Sequence, residues 1–141
     1  MKVTFVCTGN TCRSPMAEYL FKQEFPNWEI ASCGISTCNG APISQNAKIV
    51  LEELGIDSSM HKSQVVTKQM IESSDVVVTM TDNHKQILKS IFGDLKNVYS
   101  FKDFCGEDLN DPYGCPIETY RFVATKLIGL VNVFKNKYSN K

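Results

Sequence analysis

Along the chain, short apolar runs rich in β-branched residues alternate with longer segments whose apolar positions recur every three or four residues. Lys2–Cys7, with Val3, Phe5 and Val6, reads as a buried strand that stops at the turn signal Thr8-Gly9-Asn10. Behind it, Ser14 suits a helix cap and Pro15 a first helical turn. Met16, Ala17, Leu20, Phe21 and Phe25 then fall at helical spacing until Pro26 ends the segment. Residues 28–33 read as a second strand, and residues 44–54 as a helix with Ile49, Val50 and Leu54 on one face and Gly55 at its end. The run Val76, Val77, Val78 within residues 75–80 suits a central parallel strand, and residues 81–92 a helix ended by Gly93. Residues 98–101 read as a short last strand. Residues 102–116, rich in Asp, Gly, Asn and Pro, read as a loop, and residues 117–134 as a closing amphipathic helix. This alternation predicts an α/β fold: an open parallel sheet with helices on both faces, binding ligands beyond the carboxyl ends of its strands. Cys7 stands at such an end.

Composition narrows the reading. With 141 residues and 43% apolar content, a single domain spanning 1–141 with a proper core is expected. The formal net charge is zero and no basic block is present, so no electrostatic footprint for nucleic acid or an anionic membrane is visible. The apolar run before Gly9 is too short for a signal-peptide core, and no stretch approaches the length of a membrane span. A cytoplasmic protein is therefore expected, and its six cysteines are read as thiols, metal ligands or nucleophiles before structural disulfides.

The chemistry concentrates between Cys7 and Arg13, where the chain reads Cys-Thr-Gly-Asn-Thr-Cys-Arg and continues into Ser14-Pro15. A thiol and a guanidinium at the two ends of a tight turn suit a phosphoryl group. Backbone amides from Thr8, Gly9, Asn10, Thr11 and Cys12 can converge on one anion, and the following helix adds its positive end. Arg13 supplies a planar fork for two phosphate oxygens. A positive field of this kind favours an anionic sulfur, which makes Cys7 the candidate nucleophile, with Ser14 placed to donate a hydrogen bond to it. A leaving group needs an acid, and the water of the second step a base. Asp111 in Asp111-Pro112-Tyr113-Gly114 is the leading candidate, because Pro112 stiffens the loop and Tyr113 offers an aromatic wall; Asp103, Glu107 and Asp108 share the segment and stay open. Cys12 lies close enough in sequence to trap an oxidised Cys7 as a disulfide, whereas Cys33, Cys38 and Cys105 read as small buried hydrophobes. His61 and His84 are far apart in sequence and no Cys-x-x-Cys pair accompanies them, so no metal site is read.

The segment Val6-Cys7-Thr8-Gly9-Asn10-Thr11-Cys12-Arg13-Ser14-Pro15-Met16-Ala17-Glu18, with the distant Asp111-Pro112-Tyr113-Gly114, resembles the low-molecular-weight protein-tyrosine-phosphatase family over essentially the whole chain. The resemblance implies a doubly wound sheet of four parallel strands with its phosphate-binding loop after the first strand. It further implies Cys7 as nucleophile, Arg13 as phosphate ligand, Asp111 as acid and base, and no cofactor. Asn10 would brace the loop through His61 and Ser36. Within the family, Thr11, the stretch Met80-Thr81 with His84-Lys85-Gln86, and the Asp-Pro-Tyr-Gly form resemble the bacterial protein-arginine phosphatases. Tyrosine-directed members usually carry a larger aliphatic residue at the position of Thr11, and a small hydroxyl side chain suits a guanidinium better than an aromatic ring. Phosphorylated proteins are then the expected partners, with Asp111 bonding the phosphoguanidinium, Tyr113 packing on it, and the chain acting as a monomer. Phosphotyrosine hydrolysis is the alternative. Arsenate reduction would need relay cysteines after the third strand, where residues 81–92 have none, leaving only Cys105 or Cys115. A non-catalytic phosphoprotein-binding module would not be expected to keep both thiol and acid, and the loop lacks the glycine pattern and lysine of a nucleotide site.

Overall fold

In the computed structural model, which describes residues 1–138, four strands form one parallel sheet: β1 (Lys2–Cys7), β2 (Glu29–Gly34), β3 (Val76–Thr79) and β4 (Val98–Ser100). The helices are α1 (Arg13–Glu24), α2 (Gln45–Glu53), α3 (Lys68–Glu72), α4 (Asp82–Phe92), α5 (Phe101–Cys105) and α6 (Ile117–Tyr138). The spatial order β2-β1-β3-β4 is that of a doubly wound sheet, as the resemblance implied. The chain leaves β1 towards β2 on one side, then returns to place β3 on the other. The point where the winding reverses lies between β1 and β3.

Strand alternation sorts the core into two layers. Val3, Phe5 and Cys7 face one cluster, built with Met16, Phe21, Leu127 and Phe134 from α1 and α6. Val6, Cys33 and Val77 face the other, with Ile71 of α3 and Leu88 of α4. Phe5, Phe21 and Phe134 meet edge to face at ring centroid distances of 4.7 and 5.0 Å, tying strand, first helix and last helix together. This packing fixes where α1 begins relative to the end of β1.

Two sequence expectations about the elements change. Ser14 is not a cap: α1 starts at Arg13 with Cys12 at the N-cap position and no side-chain cap bond, so Ser14 lies in the first turn and its hydroxyl turns to the loop. Residues 102–116 are not wholly loop, because α5 is nucleated by a reciprocal cap in which Ser100 accepts from the Asp103 amide and Asp103 from the Ser100 amide. The short α3, capped by Thr67, lay in a stretch without readable periodicity. Of the cysteines expected in the core, Cys33 is fully buried, Cys105 only half-buried, and Cys38 exposed.

Candidate active site

The turn from Thr8 to Cys12 leaves the end of β1 at the winding reversal and feeds α1. Its shape depends on a close approach at the end of β2. A β-carbon on Gly34 would stand 2.7 Å from the Thr8 carbonyl oxygen and 3.1 Å from the Asn10 β-carbon, so only glycine lets the turn pass. Asn10 takes φ = +55°, a left-handed conformation that asparagine tolerates better than most residues.

Side chains hold the turn from beneath. The Asn10 carboxamide accepts from the Gln64 amide at 3.0 Å, which orients its nitrogen to donate to Ser14 Oγ at 2.8 Å and Ser32 Oγ at 2.9 Å. Ser32, having accepted, donates onward to Glu18 Oε1 at 2.5 Å, and Glu18 pairs with Lys22 at 2.6 Å. The Asn10 carbonyl accepts from His61 Nε2 at 2.8 Å, so that nitrogen carries a proton. The partner of Asn10 is thus Ser32 rather than Ser36; Ser36 contributes only its backbone amide, to the Thr8 carbonyl at 2.9 Å. The parallel register sets Ser32 opposite Phe5 and Gly34 opposite Cys7, which puts the brace four residues before Ser36, where the resemblance placed it.

The same accounting orients Ser14. Its oxygen accepts from Asn10 and lies 2.9 Å from Cys7 Sγ, with the Cys33 carbonyl at 3.5 Å, so once Cys7 is an anion the hydroxyl proton has the nearer sulfur to donate to. Cys7 Sγ also receives the Asn10 amide at 3.3 Å. Among the described residues, the amides of Thr8, Gly9, Thr11 and Cys12 have no protein acceptor. They border a cleft of about 210 Å³ lined by Cys7, Thr8, Gly9, Thr11, Cys12, Arg13, Asp111 and Tyr113. Arg13 is buried, with Nη1 donating to the Leu109 carbonyl at 2.8 Å and Nη2 3.7 Å from Asp111 Oδ2. Its fork is therefore anchored through Nη1.

The four candidate carboxylates separate by position. Asp103 is committed to the α5 cap and to Lys85, Glu107 pairs with Lys126, and Asp108 accepts from the Asp82 amide at the start of α4. Asp111 alone of the four lines the cleft. Its Oδ1 accepts from the Tyr113 amide at 3.0 Å, shaping a turn that leaves the carboxylate half exposed and the Tyr113 ring standing in solvent at the rim.

Around this cleft the titrating groups divide by burial. Burial pushes the Cys33 thiol up to about 12, with Cys7 and Glu18 adding to it, so Cys33 stays a thiol beside the turn. Burial likewise raises the Tyr120 phenol to about 12, aided by Cys12, whose sulfur lies 3.8 Å from the phenol and donates to Ser44 Oγ at 3.3 Å. His84, which the sequence offered as a rejected metal ligand and as part of a resemblance, touches the turn directly through Thr8. Glu18, Ser32 and Gln64 gave no sequence signal of their own, because their link to Asn10 exists only once β1 and β2 are paired.

A doubly wound parallel sheet with a thiol beneath a ring of free amides and a buried guanidinium defines the site of a phosphoryl-transfer enzyme. A family model described as low molecular weight phosphotyrosine protein phosphatase matches residues 2–137, and the chain belongs to that family. Similar curated relatives include the low molecular weight protein-tyrosine-phosphatase PtpB of Staphylococcus haemolyticus, 38% identical over 133 residues that cover 93% of this chain and 95% of the relative. Another is the protein-arginine-phosphatase of Geobacillus stearothermophilus, 37% identical over 141 residues that cover 96% of this chain and 95% of the relative. Among solved structures, the YwlE arginine phosphatase from Geobacillus stearothermophilus superposes with a TM-score of 0.92 at 36% identity, covering 99% of this chain and 93% of that one. A mutant of YwlE arginine phosphatase with a phosphorylated active-site serine superposes with a TM-score of 0.93 at 35% identity, covering 99% of this chain and 96% of that one.

Proposed function

We propose that this chain hydrolyses phosphoarginine on proteins through a phosphocysteine at Cys7. The observation that carries the reading is the cleft wall: beside the anion site stand a threonine hydroxyl, Thr11, and the half-exposed carboxylate of Asp111. A phosphoguanidinium brings several N–H donors immediately behind the phosphorus, and those two acceptors meet them; a phenyl ring would leave both unpaired. Tyr113 at the rim supplies a flat face for the guanidinium plane.

In the first step the Cys7 thiolate attacks phosphorus in line, the P–N bond breaks, and protonated Asp111 gives its proton to the departing guanidine nitrogen. The amides of Thr8, Gly9, Thr11 and Cys12 and the Arg13 fork hold the equatorial oxygens, where negative charge stays through the transition state. In the second step Asp111, now a carboxylate, takes a proton from water as its oxygen attacks phosphorus. The S–P bond breaks and the Ser14 hydroxyl receives the sulfur anion with a hydrogen bond. The phosphorylated serine in the YwlE mutant supports a phosphoenzyme of this type. The reading takes residues 1–141 as one catalytic domain, acting as a cytoplasmic monomer without metal or organic cofactor.

The test is kcat/KM on matched phosphoarginine and phosphotyrosine peptides. The expected result is a preference for phosphoarginine that Thr11→Ile shifts towards phosphotyrosine by about 10-fold or more, the scale of one lost hydrogen bond to a charged group. A wild-type preference for phosphotyrosine rejects the arginine reading and leaves the phosphocysteine chemistry standing.

A further inference from the structure

We propose that His84 is a positioning residue for the phosphate-binding turn, its ring gripping the Thr8 side chain so that the first half of the turn keeps its shape around the anion. The inference rests on the reading that this turn binds the phosphoryl group. His84 lies in the first turn of α4, which begins just after β3, and β3 is the neighbour of β1 across the winding reversal. The helix therefore delivers the imidazole to the mouth of the turn. Nε2 lies 2.8 Å from Thr8 Oγ1, and Nδ1 lies 3.0 Å from Thr81 Oγ1, the N-cap oxygen that also accepts the His84 amide at 3.1 Å.

Thr8 is consequently held twice. From the β2 side, the Ser36 amide takes its carbonyl at 2.9 Å; from the β3 side, His84 takes its hydroxyl. The β-branched side chain has few rotamers, so fixing Oγ1 fixes χ1, and with the carbonyl also fixed the peptide plane that carries the Gly9 amide is set. Gly9 has no side chain to hold it otherwise. The Asn10, Ser14, Ser32 and His61 bonds brace the second half of the turn, and His84 is the counterpart for the first half. The ring suits this work because it is only 5% exposed and stays neutral. Burial and then the Arg13 guanidinium lower its pKa to about 4, against the opposing pull of Asp111 and Asp108. A neutral ring keeps one nitrogen as donor and one as acceptor, and each meets a hydroxyl able to take the other role.

The two ring nitrogens can be separated by substitution, since a glutamine amide reaches towards the place of Nε2 and an asparagine amide only towards that of Nδ1. The readouts are the KM and kcat for p-nitrophenyl phosphate, an aryl phosphate whose good leaving group keeps turnover measurable in every variant, and the competitive inhibition constant of orthophosphate, which carries no side chain and so is blind to the arginine or tyrosine preference. His84→Asn and Thr8→Val are each expected to raise KM and the orthophosphate constant by about 10-fold, the scale of one lost bond within a buried network, with a smaller change in kcat. The double variant is expected to be no worse than either single one. His84→Gln is expected to recover most of the affinity. A merely structural role at the start of α4 predicts instead that Gln and Asn fail alike and that Thr8→Val is harmless, and either result overturns the proposal. Thr8→Val leaves the histidine in place, so it decides the matter even where a His84 variant does not fold. If orthophosphate fails to compete in the wild-type enzyme, the turn itself has been misassigned and the proposal falls with it. Competition that is equal in wild type, His84→Asn and Thr8→Val removes the role of His84 alone.

Discussion

Ser14 and Asp111 meet the Cys7 sulfur in different surroundings, and on the proposed reaction they serve different steps. Asp111 lines the open cleft, half exposed, whereas Ser14 lies buried beneath the turn with its oxygen 2.9 Å from Cys7 Sγ. Asp111→Asn is therefore expected to lower turnover by about 10²-fold or more, and most with substrates whose leaving group must be protonated. Ser14→Ala is expected to slow release of the sulfur anion from the phosphoenzyme by about 10-fold to 10²-fold, the worth of a hydrogen bond to a charged group. Rapid-quench measurement of the phosphoenzyme separates them: Ser14→Ala lets it accumulate, and Asp111→Asn slows its formation. Equal effects on both steps from Ser14→Ala would mean that the hydroxyl only shapes the turn. The ends of the site, Cys7 and Arg13, were legible because a thiol, a guanidinium and a glycine turn lie within one short stretch. The underside was not. Ser32, Gln64 and Glu18 reach Asn10 only through the register that sets Phe5 against Ser32. Nothing in the spacing of serines along the chain distinguishes Ser32 from Ser36.

Among the helices, the long ones declared themselves and the short ones did not. Residues 13–24 and 117–138 present apolar faces over several turns, so periodicity found α1 and α6. Helices α3 and α5 have five residues each, too few for a period, and depend on caps by Thr67 and by the Ser100–Asp103 pair. The same cap logic misplaced Ser14: the residue type is right for an N-cap, but the start of α1 is set by the turn it leaves, and Cys12 occupies the cap position instead. The junction of β2 with the turn carries the sharpest consequence. Gly34 has the Thr8 carbonyl oxygen at 2.7 Å and the Thr37 Cγ2 at 2.9 Å from where a β-carbon would sit, and the first of these is backbone that moves only if the turn moves. Gly34→Ala is expected to cost about 1–3 kcal/mol of stability as an overpacking change and to lower kcat/KM by about 10-fold or more through displacement of Thr8. Denaturant titration and turnover on one preparation check both. Loss of stability with intact turnover would show that the strand end yields rather than the turn.

At the scale of the whole molecule, His84 couples the site to folding, and the sign of that coupling can be worked out. Burial, with Arg13 nearby, holds the folded pKa at about 4, below the ordinary histidine value of about 6.5. Between those values the unfolded chain binds a proton at this position that the folded chain refuses, so protonation favours unfolding. The contribution is fully present above about pH 6.5 and is lost as the pH falls towards about 4, with a slope of at most about 1.4 kcal/mol per pH unit for one proton. Carboxylates act in a lower window. Asp103, held below its usual value mainly by the Ser100 amide, keeps its contribution until the pH drops through the carboxylate range. Free energies of unfolding measured in denaturant from pH 7.5 down to pH 4 are therefore expected to fall for the wild type. In His84→Gln, which has no ring to protonate, the fall is expected to be shallower, and the two curves should converge as the pH decreases. Parallel curves across that window would mean that the imidazole is as easily protonated in the fold as out of it. That outcome is incompatible with a buried ring beside a guanidinium, and it would place His84 outside the polar seam that joins β1 to α4.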